Sequence, residues 1–177
     1  HRHFLLRRQR QMCIRDRDTA SRHPERVAAL TLIAGAMAIP VNDALIEMSQ
    51  SAPEKAFRMM TSWGHGPGAH KFDNTQPGHA FLGYGRRVMA QNDGAALHAD
   101  LVACNSYDGG KDAAASVTQP SLCLLAGKDK MTPVKFGRKM AEQISGAQCH
   151  VFERAGHFLP AEFPIEVNDA MAAFLSR

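Results

Sequence analysis

"ERAGHFLPAEFP", residues 153–164, sets His157 between a glycine and a phenylalanine, directly after a short β-like run and directly before a helix opened by proline. A side chain so placed stands at the carboxyl end of a strand. Open α/β sheets gather their chemistry there, because the loops share one edge and the N-termini of the following helices add positive potential. The run before it, QCHVFE (148–153), reads as a strand. After it, PIEVNDAMAAFLSR (164–177) puts Val167, Ala170, Met171 and Phe174 on one face of a closing helix.

The same pattern recurs upstream. PSLCLLAG (120–127) is an apolar run bounded by proline and glycine, the signature of a strand buried on both faces. In MTPVKFGRKMAEQIS (131–145) Thr132 is the expected N-cap, Pro133 the first helical residue, and Val134, Gly137, Met140, Ala141 and Ile144 share a face. A third strand is expected from about Val27 to Ile33, within SRHPERVAALTLIAG (21–35). Strand, helix, strand, helix predicts an α/β fold, a parallel sheet with crossover helices. Between Pro40 and Val117 the character changes to Ala, Met and Leu at helical spacing, broken by SWGHGPGAH (62–70) and NTQPGHAFLGYG (74–85). That block reads as a helical insertion.

A base at His157 needs a partner. Asp129, in GKDKMTP (127–133), also follows a strand directly, and the two residues are 28 apart. One βα repeat is roughly 30 residues, so both side chains are expected at one edge, on neighbouring strands. A carboxylate beside an imidazole fixes its tautomer and stabilises the imidazolium formed when the ring takes a proton. His157 is therefore the expected general base and Asp129 its orienting acid.

Three segments, HPERVAALTLI (23–33), LLAGKDKMTP (124–133) and ERAGHFLPAEFPIEVNDAMAAFL (153–175), resemble the C-terminal part of an α/β-hydrolase. The resemblance covers about residues 18–177. It implies a triad in the order nucleophile, acid, histidine. Residues 18–40 and 118–177 would form the α/β core, and 41–117 the helical cap that shapes a substrate pocket. Apolar cap side chains such as Phe57, Met60, Trp63, Phe81, Tyr84 and Met89 would serve as cap core or as pocket lining.

The family's nucleophile sits in a GxSxG elbow, about fourteen residues before the position of Pro24. Here that stretch is RRQRQM (7–12), with neither serine nor glycine, and the first glycine of the chain is Gly35. Ser21, Ser62 and Ser106 lack flanking glycines at the offsets an elbow requires, and Cys13, in QMCIRDR (11–17), lies outside any elbow. Residues 1–17 resemble translated sequencing-adapter read-through, a non-native leader expected outside the fold. The resemblance then implies a truncated hydrolase. Its serine would lie upstream, and its sheet would expose an edge and an apolar face, with poor solubility expected.

Composition narrows the rest. A chain of 177 residues suits one domain with a real core. The net charge of +4 is concentrated in Arg2, Arg7, Arg8, Arg10, Arg15 and Arg17, so no nucleic-acid partner is expected. Four cysteines without CxxC spacing suit reduced, buried thiols and a cytoplasmic protein. No apolar run reaches the roughly 18 residues of a membrane span. His65 and His70 lack the acidic or thiol neighbours of a metal site, and the glycines around Gly66 and Gly68 lack the lysine of a phosphate loop. No cofactor or metal is expected. The resemblance implies a serine-dependent esterase of small apolar compounds. The same fold also hosts C–C hydrolases, dehalogenases, epoxide hydrolases and haloperoxidases. A non-catalytic small-molecule binder is the reading from another class.

Overall fold

The computed structural model describes residues 12–72 and 80–176. Three parallel strands, β1 (Leu30–Ile33), β2 (Ser121–Ala126) and β3 (Gln148–Phe152), form one sheet in the order β1-β2-β3. In register, Leu32 lies beside Cys123, and Cys123 beside Cys149. Helix α1 (Met12–Arg22) precedes β1. The insertion carries α2 (Asp43–Ser51), α3 (Pro53–Gly64), α4 (Pro67–Phe72), α5 (Phe81–Met89) and α6 (Gly94–Ser106). Then α7 (Gly110–Ala115) leads to β2, α8 (Val134–Gln143) crosses from β2 to β3, and α9 (Leu159–Glu162) and α10 (Pro164–Leu175) close the chain.

Strand β2 organises this arrangement because all six of its residues are apolar or small and all are buried. Its alternation divides the interior. Leu122, Leu124 and Ala126 pack with Leu159, Val167 and Phe174 on one side of the sheet. Cys123 and Leu125 pack with Leu30, Leu32, Met140 and Ile144 on the other. Each fully buried leucine contributes about 1.5–3 kcal/mol relative to exposure. Helix α8 lies so close to β2 that a Cβ at Gly137 would sit 2.6 Å from Leu125 Cδ2 and 3.0 Å from the Gly35 carbonyl oxygen. The insertion has a separate core of Leu45, Ala56, Phe57, Met60, Leu97 and Leu101. Two of its helices begin with side-chain caps: Asn42 accepts from Ala44 N and Asp93 from Ala95 N. Each such cap contributes about 1 kcal/mol.

Several boundaries differ from the sequence expectation, each for a physical reason. Strand β1 starts at Leu30 rather than Val27, because Pro24–Arg26 form a 3₁₀ turn whose last bond runs from Val27 N to the Pro24 oxygen. Thr132 does not cap α8. Pro133, with extended backbone, holds the N-cap position and α8 starts at Val134. Cys149 is exposed on the edge strand β3, whereas Cys104 and Cys123 are buried as expected. Ala114 and Val117, inside the stretch assigned to the cap, are buried in the core of the sheet, so the insertion's own core ends with α6.

The fold also takes in residues 12–17. Ile14, Arg17 and Ala20 fall at three-residue spacing on the inward face of α1 and are all buried. Arg17 is fully enclosed. Its guanidinium donates to the carbonyl oxygens of Ala36 (3.1 Å) and Met37 (3.2 Å), and reaches Met140 Sδ and the Tyr107 hydroxyl. Its Nε has no partner, and no described carboxylate lies within ion-pair distance of it. A buried cation without a counter-charge is costly, but removing it leaves the carbonyl acceptors it satisfies without a donor, at about 1–3 kcal/mol each. Arg17→Met is therefore expected to lower the urea midpoint followed by far-UV circular dichroism, and Arg17→Lys, which keeps a donor near the Ala36 and Met37 oxygens, to lower it less.

Candidate active site

The loops after β2 and β3 run side by side because the backbone ties them. Gly127 N donates to the Phe152 oxygen and Lys128 N to the Ala155 oxygen, both at 2.9 Å. Asp129 and His157, which leave these two loops, are thereby brought together. His157 Nδ1 lies 2.9 Å from Asp129 Oδ2. The aspartate side chain is fully buried, while the imidazole keeps 21% of its exposure.

The carboxylate's burial is compensated group by group. Oδ1 accepts from Met131 N (2.7 Å) and Thr132 N (2.8 Å), and Oδ2 accepts from the Thr132 hydroxyl (2.7 Å) as well as from the imidazole. Hydrogen bonds to a charged group contribute about 1.5–3 kcal/mol each, so these donors together exceed a desolvation penalty of several kcal/mol. Burial by itself pushes the Asp129 carboxyl up. The hydrogen bond and charge of His157 and the two bonds from Thr132 outweigh it, and the group is held below the ordinary aspartate value. It stays ionised at neutral pH.

Thr132 is a site residue that the sequence assigned to helix capping. Its hydroxyl oxygen also stands 2.7 Å from the Ala34 carbonyl oxygen and 3.2 Å from His157 Nδ1. Ala34 is the one non-glycine residue with positive φ among those described, at +49°. That conformation costs roughly 1–2 kcal/mol, and Ala34 N donating to the Leu124 oxygen holds it, with the single hydroxyl proton of Thr132 shared between the Ala34 oxygen and Asp129 Oδ2. The end of β1 is thus tied to the acid loop. The available signal was a hydroxyl residue three positions after the acid, the spacing of a local side-chain turn.

With Nδ1–H committed to the carboxylate, Nε2 carries the lone pair, and it makes no hydrogen bond to any described residue. The ring borders a cavity of about 190 Å³, walled by Met131 and Thr132 from the acid loop and by Leu45, Met60, Trp63 and Leu101 from the insertion. Of the other insertion residues singled out by the sequence, Phe57 and Met89 pack in the insertion's core, and Tyr84 is exposed. The side chains of Phe81 and Cys13, and residues 1–11, lie outside the described residues. His65 Nδ1 and His70 Nε2 are engaged by the carbonyl oxygens of Thr61 and Ser62. Asn105 accepts from Val41 N, fixing the cavity's rim, and Tyr107 donates to Asp18.

No family model matches the chain, and no curated protein matches it by sequence. Solved structures do match. An enol-lactonase from Burkholderia xenovorans superposes with a TM-score of 0.81 at 18% identity, covering 92% of this chain and 61% of that one. A thermophilic esterase gives 0.72 at 25% identity, covering 89% and 59%. A bromoperoxidase from Bacillus anthracis gives 0.66 at 16% identity, covering 76% and 48%. The fold is that of the α/β-hydrolases. This chain spans about three fifths of the length of the first two structures. Within the α/β-hydrolase fold, Asp129 and His157 occupy adjacent strand ends at one rim of the sheet.

Two variants test the dyad. Asp129→Asn leaves the partly exposed imidazole beside a neutral amide and is expected to cost about 1–3 kcal/mol, read as a lower urea midpoint. Because the folded state lowers the Asp129 value, its stabilisation is present above the ordinary 3.8 and is lost as pH falls below it. The variant's stability is expected to lack that acid limb. Thr132→Val, which deletes the hydroxyl and keeps the shape, is expected to raise the folded-state value of Asp129 and so to shrink the limb, raising the pH at which it ends.

Proposed function

We propose that this site is the acid and base of a nucleophile–acid–histidine centre in a protein that hydrolyses small apolar esters or lactones. The serine would be supplied by sequence outside the described residues. The observation that carries the reading is the 2.9 Å bond from His157 Nδ1 to a buried, ionised Asp129 at the edge of an apolar cavity. In this scheme Nε2 takes the serine proton as the oxygen attacks the substrate carbonyl, and Asp129 stabilises the imidazolium. The ring then gives that proton to the departing alkoxide. A water molecule, deprotonated by the same nitrogen, releases the acyl group and restores the serine.

Cavity size supports a small substrate. An apolar cavity of about 150 Å³ holds benzene. One of about 190 Å³ therefore accommodates a single small ring or a short acyl chain. The esterase and enol-lactonase among the structural neighbours support the same class. No described helix is long and apolar enough to cross a membrane. The unclustered cysteines favour a cytoplasmic setting.

The test begins with the reading frame upstream of residue 18. A GxSxG elbow is expected there, and the protein carrying it is expected to hydrolyse p-nitrophenyl acetate and butyrate. In that protein His157→Ala is expected to lower kcat/KM by at least about 10³-fold. The chain of 177 residues by itself is expected to show no turnover and no labelling by a fluorophosphonate. An upstream frame without an elbow, or a labelled serine in this chain, would remove the proposal.

A further inference from the structure

Glu162 is a buried carboxylate that the scheme above leaves unused. It is only 4% exposed, at the end of the single turn of α9. Its Oε2 accepts from Gly66 N at 2.9 Å. Gly156 N lies 3.1 Å from Oε1 and 3.2 Å from Oε2. Gly66 belongs to the turn after α3, whose helix carries the cavity residues Met60 and Trp63. Gly156 is the residue immediately before His157. One carboxylate therefore holds a peptide N–H from the cap and another from the histidine loop.

The two backbones meet at van der Waals contact. A Cβ on Gly156 would collide with the Gly66 backbone nitrogen, and one on Gly66 would lie 2.8 Å from Gly156 N and 2.6 Å from Glu162 Oε2. The crossing is extended by Phe158 N, which donates to the Gly64 oxygen at 2.9 Å, and by the Phe158 ring, 4.8 Å from the His65 ring. Any side chain at either glycine would separate the loops and leave two buried N–H groups without acceptors, at about 1–3 kcal/mol each. Asp129 and His157 also act on the Glu162 carboxyl. Burial pushes it up, the two peptide bonds oppose that, Asp129 adds to the rise and His157 counters it, and the group is left above the ordinary glutamate value. The carboxylate thus stands within electrostatic reach of the dyad as well as of the crossing.

We propose that Glu162 is a positioning residue that locks the Gly64–Gly66 turn of the cap to the histidine loop, so that the cavity wall and His157 hold one fixed relation. The inference rests on the reading of His157 as the base. Rigidity at this point matters because a reacting group displaced by about 1 Å can lose on the order of 100-fold in rate. The cap contributes most of the cavity wall, and the sheet contributes the base. The carboxylate is the charged group that bonds to both.

The test uses this chain, labelled with ¹⁵N. In Glu162→Gln the negative charge is lost and one oxygen becomes an NH2, so both peptide N–H groups are left to share the oxygen at the Oε2 position while the new NH2 stands against Gly156 N–H, donor to donor. Amide exchange at Gly66, Gly156 or both is expected to accelerate at least tenfold while β2 amides stay protected. The His157 ring nitrogens are expected to lose the shifts of a single Nε2-basic tautomer. Asp129→Asn separates this inference from the triad reading. It is expected to change the ring shifts and leave exchange at both glycines as in the parent, and unchanged ring shifts there would count against the dyad instead. Parent-like exchange and ring shifts in Glu162→Gln would overturn the lock. Should that variant lose β2 protection too, Gly66→Ala probes the crossing from the cap side and is expected to give the same ring signature. A Gly66→Ala ring unchanged from the parent, or β2 protection lost in both variants, would also overturn it.

Discussion

A hydrogen bond between a buried carboxylate and a half-buried imidazole organises this molecule's functional edge. Asp129 is fully enclosed, and an enclosed charge persists only where donors converge on it. Two peptide N–H groups, a threonine hydroxyl and the imidazole do so, each from the loop that follows β2 or β3. The parallel register of β2 and β3 sets the loops side by side, and the loops' mutual backbone bonds set the distance. Sheet geometry therefore defines the dyad first, and side-chain chemistry completes it.

The rest of the chain supports that edge in two separate bodies of packing. The sheet has a core on each face of β2, and the insertion has one of its own around Phe57, Met60 and Leu101. A cavity between bodies with independent cores takes its shape from the contacts joining them. Among the described residues those contacts include Phe158 N on the Gly64 oxygen, Glu162 across Gly66 and Gly156, and Met131 of the acid loop packed against the insertion's core.

Much of this was legible in the chain, and the parts that were not share a cause. Strands over 121–126 and 148–152, the helix between them and the closing helix follow from runs and periodicities only a few residues wide. Asp129 and His157 follow from their places after two strands one repeat apart. Thr132 was misassigned because a threonine before Pro133 is a good helix cap by local rules. The tertiary position of Ala34 and Asp129 offered its hydroxyl stronger partners. Arg17 was set aside because an arginine-rich stretch reads as a solvated tail, yet the helix carrying it presents that position inward between Ile14 and Ala20. The role of Glu162 has no local signature at all, since its two partners are 96 and 6 residues away.

By itself, then, the sequence determined the class of the fold, the order of its elements and the meeting of Asp129 with His157, because apolar periodicity and strand-end position are local properties that survive without coordinates. Only the tertiary structure decided which donors hold the Asp129 carboxylate, how large the cavity is, and where insertion and sheet are joined. Those features arise where distant segments cross, and a crossing is set by three-dimensional packing of side chains whose neighbours no linear spacing encodes.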